Sequence, residues 1–285
     1  MSEQSESDAG SRITRRRLLG AGAVGVAGVG GLAGLGSYLE DDDCLSWPEG
    51  PEEFPEVVFT GDEPEPSDLE EVEDAAEVVI YVHGWRGFET STDQAALLED
   101  ALTEAEYDHP VLAASWPADT DIYWRAERRT PEAGRRLAAW LESDPGLPET
   151  VRVVGHSLGG RVALEMLAVL EERTLETVAL LGTAADDDSV CVDGEYGPAI
   201  EANAEAVYNY HSENDDSVCY GYDIQSRASG LGCAGADCSG GILVDDSGET
   251  PDHYTDVDVT DEVDDHCAYL KPDVGSVPTI VDAFE

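Results

Sequence analysis

Ser157 lies in the pentapeptide Gly155-His156-Ser157-Leu158-Gly159, and candidate carboxylates and imidazoles follow it in the chain. A serine hydroxyl is a weak nucleophile at neutral pH. It needs a base to take its proton as it attacks a carbonyl carbon, and the base needs an acid to fix its tautomer. The pentapeptide has the form of a nucleophile elbow, a sharp turn from strand to helix. Small residues two places either side of the serine keep the turn free of collisions with its own backbone. The bare pattern is weak, so its context matters. Residues 150–154 read T-V-R-V-V, a β-branched run of strand type. After Leu158, the positions Val162, Met166 and Leu170 recur every four residues beside Ala163 and Leu167, which is a helical apolar face.

The elements that must position this serine can be read in outline. Residues 77–82, E-V-V-I-Y-V, form a strongly apolar strand that runs straight into His83-Gly84-Trp85. A helix over 92–107 follows, then a short strand over 111–115 that ends at Trp116-Pro117. Pro131 opens another helix, with Ala133, Leu137, Trp140 and Leu141 on its buried side. Residues 177–181 and 206–210 are further strands, and 257–260 is a weaker last one. Strands alternating with helices require parallel pairing and right-handed crossovers, so the fold class is α/β, a mostly parallel central sheet with helices on both faces. In such sheets the ligand crevice lies at the carboxyl ends of the strands. His83, Ser157 and the residues after Tyr210 all fall there.

With V-H-G-W at 82–85, G-H-S-L-G-G at 155–160, N-D-D-S-V at 214–218 and H-C-A-Y at 266–269, the chain resembles the α/β-hydrolase superfamily, of the serine esterase and lipase kind. The resemblance covers roughly residues 77–270 and keeps the order Ser, acid, His. It implies an α/β-hydrolase fold and hydrolysis of a carboxylic ester or lipid through an acyl-enzyme on Ser157, with no metal and no organic cofactor. His266 fits the base, because the resemblance places that histidine on the loop after the last strand. His253, which precedes the strand expected at 256–260, is the alternative. Asp215 fits the orienting acid; the adjacent Asp216 stays open, and Glu213 is a third option. The backbone amides of Trp85 and Leu158 are the expected oxyanion donors, while His83 and His156 read as structural. Trp116, Tyr123 and Trp124 are candidates for an acyl pocket, and segments 185–200 and 229–241 are long enough to overhang the crevice. Serine at the elbow disfavours an aspartate-nucleophile enzyme. The competing reading is a hydrolase-fold protein with a silent site that binds partners at the cell surface.

Charge sets this chain apart. Its 285 residues carry 15 basic and 63 acidic side chains, a formal net charge of -48, and Lys271 is the only lysine. Nucleic acid is excluded as a partner, because binding a polyanion requires Lys and Arg to neutralise phosphates. Self-repulsion of this size opposes compaction in dilute buffer, whereas molar salt cuts the Debye length to about 3 Å and removes most of the penalty. The acids are spread through the catalytic region, so the composition reads as salt adaptation.

The front of the chain reads as an address. Thr14-Arg15-Arg16-Arg17-Leu18-Leu19 resembles a twin-arginine export signal, and the glycine-rich apolar stretch 18–39 completes it. That stretch is also long enough to cross a bilayer, so it offers membrane attachment as an amino-terminal anchor, and no clear A-x-A cleavage site follows. The organisation expected is a signal or anchor over 1–39, an acidic, proline-containing linker over 40–75, and a catalytic domain over 76–285. Within the linker, residues 56–60 could form an edge strand, with Trp47 and Phe54 docking on the domain. Export suits six cysteines, Cys44, Cys191, Cys219, Cys233, Cys238 and Cys267, since disulfides persist outside the cytoplasm. Cys233 and Cys238 lie close enough for a small loop staple; the rest of the connectivity is not readable. No C-x-x-C pair indicates zinc.

Overall fold

A computed structural model describes residues 47–61, 63–222, 229–239, 248–272 and 275–284. The twin-arginine motif, the stretch 18–39 and Cys44 lie outside the described residues. Eight strands form one sheet: β1 (Glu56–Val58), β2 (Glu65–Ser67), β3 (Glu77–Val82), β4 (Val111–Ser115), β5 (Thr150–His156), β6 (Thr177–Leu181), β7 (Val207–His211) and β8 (Tyr254–Asp258). Their spatial order is β2-β1-β4-β3-β5-β6-β7-β8. Only β2 runs antiparallel; every other neighbouring pair is parallel.

The central strands are buried on both faces, which is why they read as continuous apolar runs rather than alternating ones. Successive side chains nevertheless divide between two cores. Val78, Ile80 and Val82 of β3 enter one core, with Val151 and Val153 of β5. Val79 and Tyr81 enter the other, with Val154. The first core is covered by α4 (Thr130–Ser143), α5 (Leu158–Leu167) and α6 (Gly197–Asn203). The second is covered by α2 (Ser91–Glu104) and α8 (Val277–Phe284). Three short α-helices among the described residues are α1 (Glu70–Glu73), α3 (Tyr123–Glu127) and α7 (Leu231–Ala234).

Arg152 interrupts the apolar run of β5, and the structure supplies the reason. Its guanidinium is buried, donating to Thr177 Oγ1 at 2.7 Å and to the Phe284 carbonyl at 2.8 Å, beside Glu77 at 3.6 Å. The charge is partnered, as a buried charge must be, and it ties α8 to the sheet.

The segment expected as a linker departs from that reading. Residues 47–74 bring Phe54, Val57, Phe59 and Val72 into the cores. β1 is internal, parallel to β4, and it is β2, with Pro66 in it, that forms the edge. Proline is tolerated there because an edge strand has spare N–H positions. The disulfides also differ from expectation: Cys233 pairs with Cys219 and Cys238 with Cys191, rather than with each other. The Cys191–Cys238 bond and backbone bonds from Asp187 N to Ser229 O and Leu231 N to Ala185 O tie the described parts of the two overhanging segments together.

Candidate active site

Ser157 stands between β5 and α5 with φ 57° and ψ -122°, a conformation that L-residues rarely adopt and that costs on the order of 1–3 kcal/mol. The flanking glycines make it attainable. A Cβ on Gly159 would lie 2.0 Å from the Val82 carbonyl oxygen, and one on Gly155 would lie 2.7 Å from that of Gly159. The elbow is also anchored through its backbone, since Ser157 N–H donates to the Leu181 carbonyl at 2.9 Å.

Asp215 follows β7 and is fully buried. Its Oδ1 accepts the Val218 N–H at 3.0 Å, which fixes the carboxylate's rotation. Its Oδ2 accepts from His266 Nδ1 at 2.7 Å, and the Tyr269 hydroxyl approaches the same oxygen at 3.4 Å. Burial, with Asp215 adding to it, holds the Tyr269 phenol far above its ordinary range, so it stays a neutral donor. Asp216 and Glu213 are exposed and make no contact with His266 among the described hydrogen bonds. His253 lies just before β8, at the amino-terminal end of the strands, with Nδ1 on the Ala204 carbonyl at 2.8 Å. Of the candidate acids and imidazoles, the structure pairs Asp215 with His266.

His266 is held to the elbow from its other side. The His156 ring packs against the His266 ring at 4.7 Å between centroids, and His156 Nε2 donates to the His266 carbonyl at 2.7 Å. Burial, reinforced by the nearby His266, depresses the His156 pKa to about 3, so this clamp works as a neutral imidazole. Sequence reading gave His156 only a packing role; a histidine inside an elbow, beside the serine, was the available signal.

The loop after β3 closes the site. A Cβ on Gly84 would lie 2.8 Å from Ser157 Cβ and 3.3 Å from its Oγ, so this backbone sits against Ser157. His83 shapes the loop: Nδ1 donates to the Gly84 carbonyl at 2.8 Å and Nε2 accepts the Trp116 N–H at 3.2 Å, which sets the tautomer. Burial lowers its pKa to about 4. Trp116 stacks on His83 and donates to its carbonyl, making it core cover rather than pocket lining. Tyr123 meets Trp85 edge-on at 5.6 Å, while Trp124 is largely exposed. Among the described residues, the amides of Trp85 and Leu158 have no hydrogen-bond partner, and Leu158 opens α5.

The acid loop is stapled. Cys219 N–H donates to the Asp215 carbonyl at 2.8 Å, and the Cys219–Cys233 disulfide joins this turn to α7. No group of metal-ligating side chains occurs among the described residues.

No family model and no curated protein matches this chain. Among solved structures it is similar to a Pyrococcus furiosus esterase, at 10% identity over 91% of this chain and 94% of that one, with a TM-score of 0.47. It is also similar to the esterase domain of a Rhodothermus marinus protein, at 15% identity over 73% and 85%, TM-score 0.42. A lipase-esterase related protein from Clostridium acetobutylicum matches at 10% identity over 75% and 96%, TM-score 0.44. Superpositions this loose carry no argument about chemistry, which rests on the site itself.

Proposed function

We propose that this chain is a serine hydrolase that cleaves a carboxylic ester or lipid through an acyl-enzyme on Ser157. The observation that carries the reading is the 2.7 Å contact between His266 Nδ1 and the buried Asp215, with His266 clamped to the elbow that presents Ser157. Asp215 fixes the imidazole with Nδ1 protonated, leaving Nε2 free of its proton as the base for the serine hydroxyl. The Ser157 oxygen attacks the ester carbon, and the amides of Trp85 and Leu158 receive the developing oxyanion, each donor contributing on the order of 3 kcal/mol. His266 then returns the proton to the leaving alcohol, and water repeats the sequence to release the acid.

The charge of -48 supports action in molar salt, and the twin-arginine motif with its following apolar stretch supports export, free or anchored through residues 18–39. The two disulfides Cys191–Cys238 and Cys219–Cys233 are compatible with an extracellular site. Among the described residues, no helix is long and apolar enough to cross a membrane.

A neutral fluorophosphonate probe in molar salt tests the reading. It should label the wild type and leave Ser157→Ala unlabelled. Equal labelling of both would place the nucleophile elsewhere, and labelling of neither would indicate a silent site.

A further inference from the structure

Beside the loop after β3 lies a cavity of about 600 Å³ lined by Arg86, Arg125 and Arg129, with Glu89, Asp119 and Asp121. Its position follows from the chain: Gly84 packs on Ser157, and Arg86 is two residues further on, within about 7 Å of Gly84 along the backbone. The walls are fastened together. Trp85 Nε1 donates to the Thr120 carbonyl at 2.8 Å, and Phe88 N–H donates to Asp119 Oδ1 at 3.2 Å.

The pairing of cations across the molecule singles this place out. Arg135 and Arg136 pair with Glu132, Arg152 with Glu77, Arg161 with Glu127, and Lys271 with Asp265. Among the described residues, the arginines outside ion pairs are Arg86, Arg125, Arg128, Arg129 and Arg173. Three of these five, Arg86, Arg125 and Arg129, line this cavity. In a chain with 63 acidic side chains, three guanidiniums without a carboxylate partner around one cavity leave their N–H groups available to a ligand.

They are held by other means. Arg86 lies over the Trp85 ring at 4.8 Å, Arg125 over Trp124 at 5.5 Å, and Arg129 Nη1 donates to the Pro117 carbonyl at 2.6 Å. Stacking fixes a guanidinium's plane while leaving its N–H fork available. Glu89, Asp119 and Asp121 also line the cavity without pairing to these arginines, and the Asp119 carboxylate is engaged by the Phe88 amide.

Resting on the serine hydrolase reading, we propose that this cavity is an anion subsite, and that the preferred substrate is an ester carrying a carboxylate or phosphate near the scissile bond. Molar salt screens long-range attraction, so recognition comes from direct, bidentate guanidinium hydrogen bonds, which survive at contact distance. The same salt removes the repulsion between an anionic substrate and the acidic surface.

The test compares kcat/KM in molar KCl for p-nitrophenyl butyrate, the p-nitrophenyl monoester of glutaric acid, and 4-carboxyphenyl butyrate. The last two place the carboxylate on the acyl and alcohol sides respectively. In Arg125→Gln/Arg129→Gln, the ratio of one carboxylate ester to the neutral ester should fall by about tenfold or more relative to wild type. Smaller changes for both would overturn the proposal, as would a preference for a trimethylammonium ester. If the double variant does not fold, Arg125→Gln, at an exposed position, is read by the same ratio. The two readings fail differently. A protein labelled by the neutral fluorophosphonate whose ratios do not move loses only the subsite; one that neither labels nor turns over the neutral ester loses both.

Discussion

His156 donates from Nε2 to the carbonyl oxygen of His266 at 2.7 Å, so the residue before Ser157 grips the backbone of the proposed base. Replacing it by Phe keeps an aromatic ring and removes this donor, at a cost of about 1–3 kcal/mol. His156→Phe should lower kcat by about tenfold or more with little change in KM, while Gln, which retains a donor, should recover part of the loss. Steady-state kinetics on a neutral ester checks this; an unchanged kcat would reduce His156 to packing.

Asp215→Asn should reduce kcat by on the order of 10⁴-fold, the scale seen when a triad carboxylate is neutralised and the tautomer lost. Asp216→Asn should change it little, because that side chain is exposed and has no described hydrogen bond to His266. If the two losses were reversed, the acid role would move to Asp216.

The two buried imidazoles give stability one pH-dependent contribution of definite sign. Burial holds His83 at about 4 and His156 at about 3, against 6.5 for a free histidine. Below about pH 6.5 the unfolded chain binds protons that the native state refuses. Their contribution is therefore present above that pH and lost as the pH falls toward about 4 and then 3, at about 1.4 kcal/mol per pH unit for each group. Urea midpoints in molar salt should fall from pH 7 to pH 5. The slope should be shallower by about one proton in His83→Asn, and an identical slope would show that His83 is not buried neutral.

Much of this architecture was legible in the sequence, and the exceptions have physical causes. β4 and β6 fall where expected because short, fully buried runs of mostly apolar residues leave little freedom in placement. The elbow was legible because only glycine fits at 155 and 159. β1 lies within the strand expected at 56–60, though internal rather than at the edge, while β2 was obscured by acids and a proline, since a three-residue, exposed strand buries too few side chains to show a period. The choice of Asp215 over Asp216 depended on rotation within one turn, which spacing does not encode. The disulfide partners were set by α7 folding back beside the acid loop, a long-range event invisible to local spacing.

The Cys219–Cys233 bond closes a short loop, with 14 residues of sequence separation, around the turn that follows Asp215. Cys219→Ser/Cys233→Ser should lose about 3 kcal/mol of stability by the loop-entropy model, and should lower kcat more than KM because the carboxylate's turn loosens. Chemical denaturation together with kinetics measures both, and unaltered values would remove the staple from the account.

With 63 acids against 15 bases, lowering salt restores a repulsion that molar salt suppresses. Dialysis to dilute buffer should abolish activity and the native circular dichroism signal. A spectrum that does not change would show that the charge does not require salt.

The central claim is a covalent intermediate on one hydroxyl, and rapid mixing with p-nitrophenyl butyrate in molar salt tests it most directly. The account predicts a burst of about one p-nitrophenolate per active chain, with an acyl adduct recovered on the peptide bearing Ser157 and neither seen in Ser157→Ala. Undiminished turnover by Ser157→Ala, or an adduct on another residue, would contradict it.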